Sequence, residues 1–216
     1  MRDLALRLRD LGHRVTVMTG GTGALPGLPP EAQVSLPALA RPIHPAGDLR
    51  AYLQIRAALK ALRPQLLSTH SSKAGWLGRL AARSLGIPVV FTAHGWAFTE
   101  GVAQPQRTFY LWAERLVAPL ADRIITVSHY DRQLAIRCGV GVPEQLITVH
   151  NGMPDVSPSL RARPEVDPPR LVMVARFGAQ KDHATLLRAL RELRDLPWSL
   201  DFIGGGAGRE AIERLA

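Results

Sequence analysis

The chain has 216 residues, 46% of them hydrophobic and 21% charged, the balance of an ordinary folded domain and not of a disordered or fibrous chain. No apolar run reaches the roughly 20 residues of a membrane span, and the charged start lacks the apolar core of a secretory signal. The single cysteine, Cys138, excludes an internal disulfide and suits a reducing, cytoplasmic compartment.

The formal net charge is +9, yet lysine occurs only at 60, 73 and 181 and the arginines are scattered. Without a basic run, a nucleic-acid-binding arm is not expected. Phosphorylated substrates and anionic membrane headgroups remain the polyanions such a surface would attract.

In chain order, Leu4, Leu8 and Leu11 fall at helical spacing and predict a helix over Met1 to Leu11, ended by Gly12. Strand His13 to Thr19 follows. An α/β unit normally has a strand before such a helix, so the expectation is a missing leading strand. Gly20 to Pro30 reads as a loop and Gln33 to Leu36 as a short strand. Asp48 is expected to cap a helix to Leu62, with Leu49, Leu53, Ile55, Leu59 and Leu62 as its apolar positions. Strand Gln65 to Thr69 and a helix to Leu85 come next, then strand Pro88 to Ala93. A helix carries Phe109, Leu111, Trp112, Leu116 and Val117. Strand Asp122 to Val127, a helix from Ser128 to Cys138 and strand Gln145 to Val149 complete a first domain, residues 1–153.

The proline-rich stretch 154–169 reads as a linker. Beyond it, a partial second domain over 170–216 is expected: a buried strand at Leu171 to Ala175, a helix opening near Asp182, a strand at Ser199 to Ile203, and a helix from Gly208. Strands alternating with helices at this spacing predict an α/β fold with parallel sheets.

Ligands of open parallel sheets bind at the C-terminal ends of the strands. The turn holding Arg176, Gly178 and Lys181 joins such an end to a helix N-terminus, which makes it an anion site; the alternative is an exposed Arg and Lys in a surface loop. His94, beside Gly95, can serve as a general base or an orienting donor, or simply as a structural histidine. His70, Ser71 and Lys73 hold the same place one strand earlier, and Glu100 is a candidate polar contact. Gly204, Gly205 and Gly206 can cradle a phosphate or form a tight strand-to-helix turn. No Asp-x-Asp, Cys-x-x-Cys or His-Glu-x-x-His motif occurs, so no metal site is expected. No G-x-S-x-G or Walker motif occurs either.

Thr69 to Arg79 and Phe91 to Phe98 resemble the N-terminal domain of glycosyltransferase family 4. Val149 to Met153 is similar to that family's crossing into its second domain, Ala175 to His183 to its nucleotide-diphosphate site, and Phe202 to Gly206 to the following glycine-rich turn. The resemblance implies a GT-B architecture of two facing Rossmann-like domains. It implies a hexosyltransferase that moves a sugar from a nucleotide-diphosphate sugar, with retention of configuration, in cell-surface polysaccharide or glycolipid biosynthesis. No cofactor or metal is implied, the nucleotide-sugar being a substrate. The implied partners are a lipid-linked or glycan acceptor and a peripheral contact with anionic membrane at its inner, cytoplasmic face. By the same resemblance Arg176 and Lys181 stabilise the departing diphosphate, His94 helps position the reacting sugar, and Gly204 to Gly206 pack against the donor. A GT-B nucleotide-sugar epimerase and a non-catalytic fragment or binding subunit are the alternatives. The family's first strand and its C-terminal Glu-x7-Glu fall outside Met1 to Ala216, and Glu210 and Glu213 lack that spacing. The expectation is therefore a chain truncated at both ends and poorly active by itself.

Overall fold

The computed structural model describes residues 2–21, 25–40, 42–100 and 102–216. Met1 of the expected first helix and residues 22–24 of the expected loop lie outside the described residues. The chain divides into two compact units, Met1–Gly152 and Met153–Ala216.

The first unit runs α1 (Arg2–Asp10), β1 (Val17–Gly20), β2 (Gln33–Leu36), α2 (Pro45–Leu62), β3 (Leu67–His70), α3 (Ser72–Arg83), β4 (Val89–Ala93), α4 (Gln106–Val117), β5 (Arg123–Thr126), α5 (His129–Arg137) and β6 (Leu146–Thr148). Every strand pair is parallel. The strands do not form one sheet: β1 and β2 make a pair, and β3, β4, β5 and β6 a quartet in that order. β1 and β3 each pair along one edge only. A shared core joins pair and quartet instead. Leu36 from the pair, Leu67 and Val89 from the quartet, Ile55 and Leu59 from α2, and Ala81 and Ala82 from α3 bury together. Each large aliphatic side chain buried this way contributes about 1.5–3 kcal/mol. A second core under the quartet gathers Phe91, Trp96, Phe98, Ile124, Leu134, Val140 and Leu146.

Two helices differ from their sequence expectation. The cap of α2 is His44, whose Nδ1 accepts from the Gly47 amide at 3.1 Å. Asp48 lies one turn inside and accepts from the His44 amide at 3.1 Å, a reciprocal arrangement like a capping box. Ala51, Ile55 and Leu59 form the buried stripe of α2, at four-residue spacing, while Leu49 and Leu53 are exposed. In α4, Phe109, Trp112 and Leu116 face out, and the charged Glu114 is buried. The reason is a partner on α3: Glu114 accepts from Arg79 and from the Trp76 indole, each at 2.7 Å, and this fixes the rotation of α4.

The second unit holds β7 (Arg170–Val174), α6 (His183–Arg191), β8 (Ser199–Ile203) and the short α7 (Arg209–Glu213). A single 3-10 turn, Pro158–Leu160, interrupts the stretch before β7. β7 and β8 pair in parallel. The strand expected to be buried is not: Val172 and Val174 are 61% and 74% exposed. Among the described residues only β8 flanks it, and an aromatic cluster forms near the strand ends, where Phe177 stacks on His183 and both meet Phe202 edge to face.

Candidate active site

In the first unit the sheet delivers two histidines to one place. His70 ends β3 and pairs in register with Thr92 of β4. His94 follows two residues after Thr92, and alternate residues of a strand share a face. His70 Nδ1 lies 3.0 Å from His94 Nε2. Burial, and then the neighbouring His94, pull the His70 imidazole down to about 4 from its ordinary 6.5, since both disfavour the charged ring.

The loop after His94 is held from below. Gly95 takes φ +126°, a value that side chains on Cβ disfavour. Trp96 and Phe98 then enter the core, and the Trp96 indole donates to the Asp131 carbonyl at 2.8 Å. On the β3 side, Ser71 adopts φ 67° and ψ 153°, a region that costs a residue with a side chain about 1–3 kcal/mol. α3 begins directly after it, its approach to the sheet made by Gly75 and Gly78, where a Cβ would meet the Phe91 ring and the Thr69 methyl.

The other strand-end candidates of the first unit divide. Ser71 is exposed and its hydroxyl caps no helix amide. Lys73 is engaged: its ammonium pairs with Asp48 and donates to the Pro42 carbonyl, tying α3 to the start of α2. Glu100 is exposed on the loop beyond Phe98 and makes no ion pair among the described residues.

In the second unit the residues expected to form an anion site follow the ends of β7 and β8. Arg176 and Lys181 are both exposed, and neither makes an ion pair among the described residues. Gly178 opens the 3-10 turn Ala179–Lys181. Asp182 then caps α6, accepting from the Thr185 amide at 3.3 Å. Arg176 and Lys181 thus lie on the connection from β7 to α6, and a helix N-terminus is a place where free amides and the helix dipole favour an anion.

The glycine turn after β8 has a structural cause as well. The two loops are hydrogen-bonded: Ala175 to Ile203 at 3.0 Å and Phe177 to Gly205 at 2.9 Å. A Cβ on Gly204 or Gly206 would run into the carbonyls of Ala175 and Phe177 respectively, whereas Gly205 has open space. Of the three glycines, Gly205 is the one with room beside it for a ligand. A small hollow lined by Phe177, Phe202, Gly204, Arg209 and Ile212 lies at this end of the strands. A second depression, lined by Arg115, Asp122, Arg123 and Glu144, sits at the opposite end of the quartet from His70 and His94.

His183 closes the stretch Ala175 to His183, but no role of its own is legible for it in the sequence. It is 2% exposed, stacks on Phe177 with ring centroids 4.5 Å apart, and leaves Nε2 without a hydrogen bond among the described residues. The one available signal was its place directly after the Lys-Asp pair that opens α6.

Residues 1–152 match the family described as Glycosyl transferase 4-like domain. The Escherichia coli enzyme UDP-Gal:alpha-D-GlcNAc-diphosphoundecaprenol alpha-1,3-galactosyltransferase is 33% identical over 119 residues, covering 55% of this chain and 31% of that enzyme. Among solved structures, sucrose-phosphate synthase from Thermosynechococcus elongatus superposes with a TM-score of 0.74 at 22% identity, covering 99% of this chain and 60% of that one. Anabaena Alr3699/HepE, solved in complex with UDP and glucose, gives 0.64 at 20% identity, covering 92% and 56%. The matched stretch spans about a third of the length of the curated relatives. With the whole first unit matched and the parallel α/β fold shared, the chain belongs to the glycosyl transferase 4-like family.

Proposed function

We propose that this chain supplies the sugar-positioning and diphosphate-binding elements of a retaining glycosyltransferase. The donor is a nucleotide-diphosphate sugar and the acceptor a lipid-linked or glycan hydroxyl of the cell-surface polysaccharide pathway. The observation that carries the reading is that Arg176 and Lys181, on the connection from β7 into α6, are exposed and make no ion pair among the described residues. As the bond from the anomeric carbon to the diphosphate breaks, negative charge builds on the leaving oxygen. Fixed cations and amides aimed at that charge lower the barrier, because they need no reorganisation at the moment of reaction. With two cations in place, no metal ion is needed to carry that charge. In the first unit, His94 orients a sugar hydroxyl by a hydrogen bond, with Ser71 beside it on the acceptor side.

The relatives support the substrate classes. The E. coli relative is named for transfer from UDP-Gal to a diphosphoundecaprenol-linked sugar, and the Anabaena structure is described in complex with UDP and glucose. No helix among the described residues is long and apolar enough to cross a membrane. In this reading a lipid-linked acceptor is met at a membrane surface, where the +9 net charge favours anionic headgroups.

Equilibrium binding of UDP, GDP and pyrophosphate tests the site. Arg176→Ala and Lys181→Ala should each weaken UDP by about 10- to 100-fold, since each removes a charge-assisted hydrogen bond of about 1.5–3 kcal/mol. Pyrophosphate should compete, and EDTA should leave the affinity unchanged. Wild-type affinity in both variants would overturn the assignment.

A further inference from the structure

The two histidines of the first unit do not act as separate groups. Their ring centroids are 5.2 Å apart and their planes are 24° from parallel. With a nitrogen–nitrogen distance of 3.0 Å, this is the arrangement of two imidazoles nearly edge to edge, the N–H of one aimed at the ring nitrogen of the other. A contact of this length holds one proton: two would clash, and none would set two lone pairs against each other. On the far side of His70, the Ser68 hydroxyl lies 3.1 Å from Nε2. Ser68 and His70 share a face of β3 by strand alternation, so the register of β3 and β4 builds the row Ser68, His70, His94.

We infer that His70 is a positioning residue that sets the tautomer of His94. The Ser68 hydroxyl donates to His70 Nε2, which leaves the single proton of the neutral ring on Nδ1. That proton is donated to His94 Nε2. His94 then carries its own proton on Nδ1, the nitrogen turned away from the pair. The result is a neutral donor held in the tautomer that a free imidazole populates less. Placing His94 as a hydrogen-bond donor to a sugar oxygen rests on the function proposed above; the tautomer itself does not.

The half-burial of His70 supports the assignment, because it keeps that ring neutral and so leaves it one proton to place. The Lys73 ammonium, at the start of α3, is taken up by Asp48 and the Pro42 carbonyl.

The test is a two-bond nitrogen–proton NMR correlation on the full chain with labelled histidine, near pH 7.5. Wild type should show His94 protonated on Nδ1 and bare on Nε2, and His70 likewise. In His70→Leu, His94 should lose that pattern and revert to the Nε2-protonated form. In His70→Asn it should be restored, because the Asn amide nitrogen stands near the place of Nδ1 and can donate to His94. Ser68→Ala should weaken the preference without abolishing it. Amide spectra report whether each variant is folded, and the wild-type result is decisive even if a variant is not. Finding wild-type His94 protonated on Nε2, or unchanged by His70→Leu in a folded protein, would overturn the inference. Failure of UDP to bind would leave it standing, so the two readings fail separately.

Discussion

Arg79 and Glu114 form an ion pair at 2.7 Å with side chains 0% and 1% exposed. Arg79 also donates from Nε to the Gly75 carbonyl at 3.0 Å and lies 4.1 Å over the Phe91 ring. Glu114 spends its other oxygen on Trp76. The pair fastens α3 and α4 to each other and thereby holds α3 down on β4, where the candidate site begins.

Breaking this pair from one side should therefore be costly. Removing one partner leaves the other charge buried, worth about 3–5 kcal/mol. Urea unfolding of Glu114→Ala should show a loss of that size. The double variant Arg79→Met with Glu114→Leu should recover most of it, because it leaves no orphaned charge. A single variant within about 0.5 kcal/mol of wild type would show that water reaches the pair.

His70 makes stability depend on pH with a defined sign. Its folded value of about 4 lies below the ordinary 6.5, so between those values the unfolded chain binds the extra proton. Stability from this group is complete above about pH 6.5 and is lost as the pH falls towards 4. The loss should be about 1–2 kcal/mol, a figure reduced for the water that still reaches the ring. Unfolding curves at pH 7.5, 6, 5 and 4 should separate wild type from His70→Leu by that amount. Parallel curves would show that the ring titrates normally.

The order of elements was legible because strand and helix periodicities are local. The strand-end candidates were legible because chain order alone puts His94 after β4 and Arg176 after β7. What could not be read depends on partners far along the chain. The outward face of α4 follows from Glu114 meeting Arg79, 35 residues earlier. The commitment of Lys73 follows from Asp48 at the start of α2. The His70–His94 contact needs the register of β3 against β4, and the split between the β1–β2 pair and the quartet is likewise a matter of which edges pair. A strand with an apolar sequence can be exposed, as β7 shows, when the elements beside it do not cover both faces.

Ser71 should be replaceable by glycine without loss. Its φ of 67° and ψ of 153° fall where glycine is at home and other residues are strained by about 1–3 kcal/mol. Relief of that strain is partly offset by the greater freedom of glycine in the unfolded chain, about 0.5–1 kcal/mol. Ser71→Gly should leave the urea midpoint unchanged or raise it, whereas Ser71→Val should lower stability by at least about 1 kcal/mol. If Ser71→Gly instead weakened acceptor binding while preserving stability, the hydroxyl rather than the backbone would be the functional element.

The three consecutive glycines should respond unequally to alanine. At Gly204 and Gly206 the backbone has φ +155° and +146°, and an added Cβ would press on the carbonyls of Ala175 and Phe177. Those carbonyls belong to the loop that carries Arg176, so the turn cannot yield without moving that residue. Each alanine there should cost at least about 1–3 kcal/mol of local stability and weaken UDP binding together with it. Gly205 meets nothing within 4 Å, so Gly205→Ala should leave folding intact. Limited proteolysis of the second unit separates the two effects. Cleavage should rise in Gly204→Ala and Gly206→Ala and stay at the wild-type rate in Gly205→Ala. A Gly205→Ala chain that resists protease yet binds UDP more weakly would place the ligand against this backbone. One that binds normally would confine the donor to Arg176, Lys181 and the amides of α6.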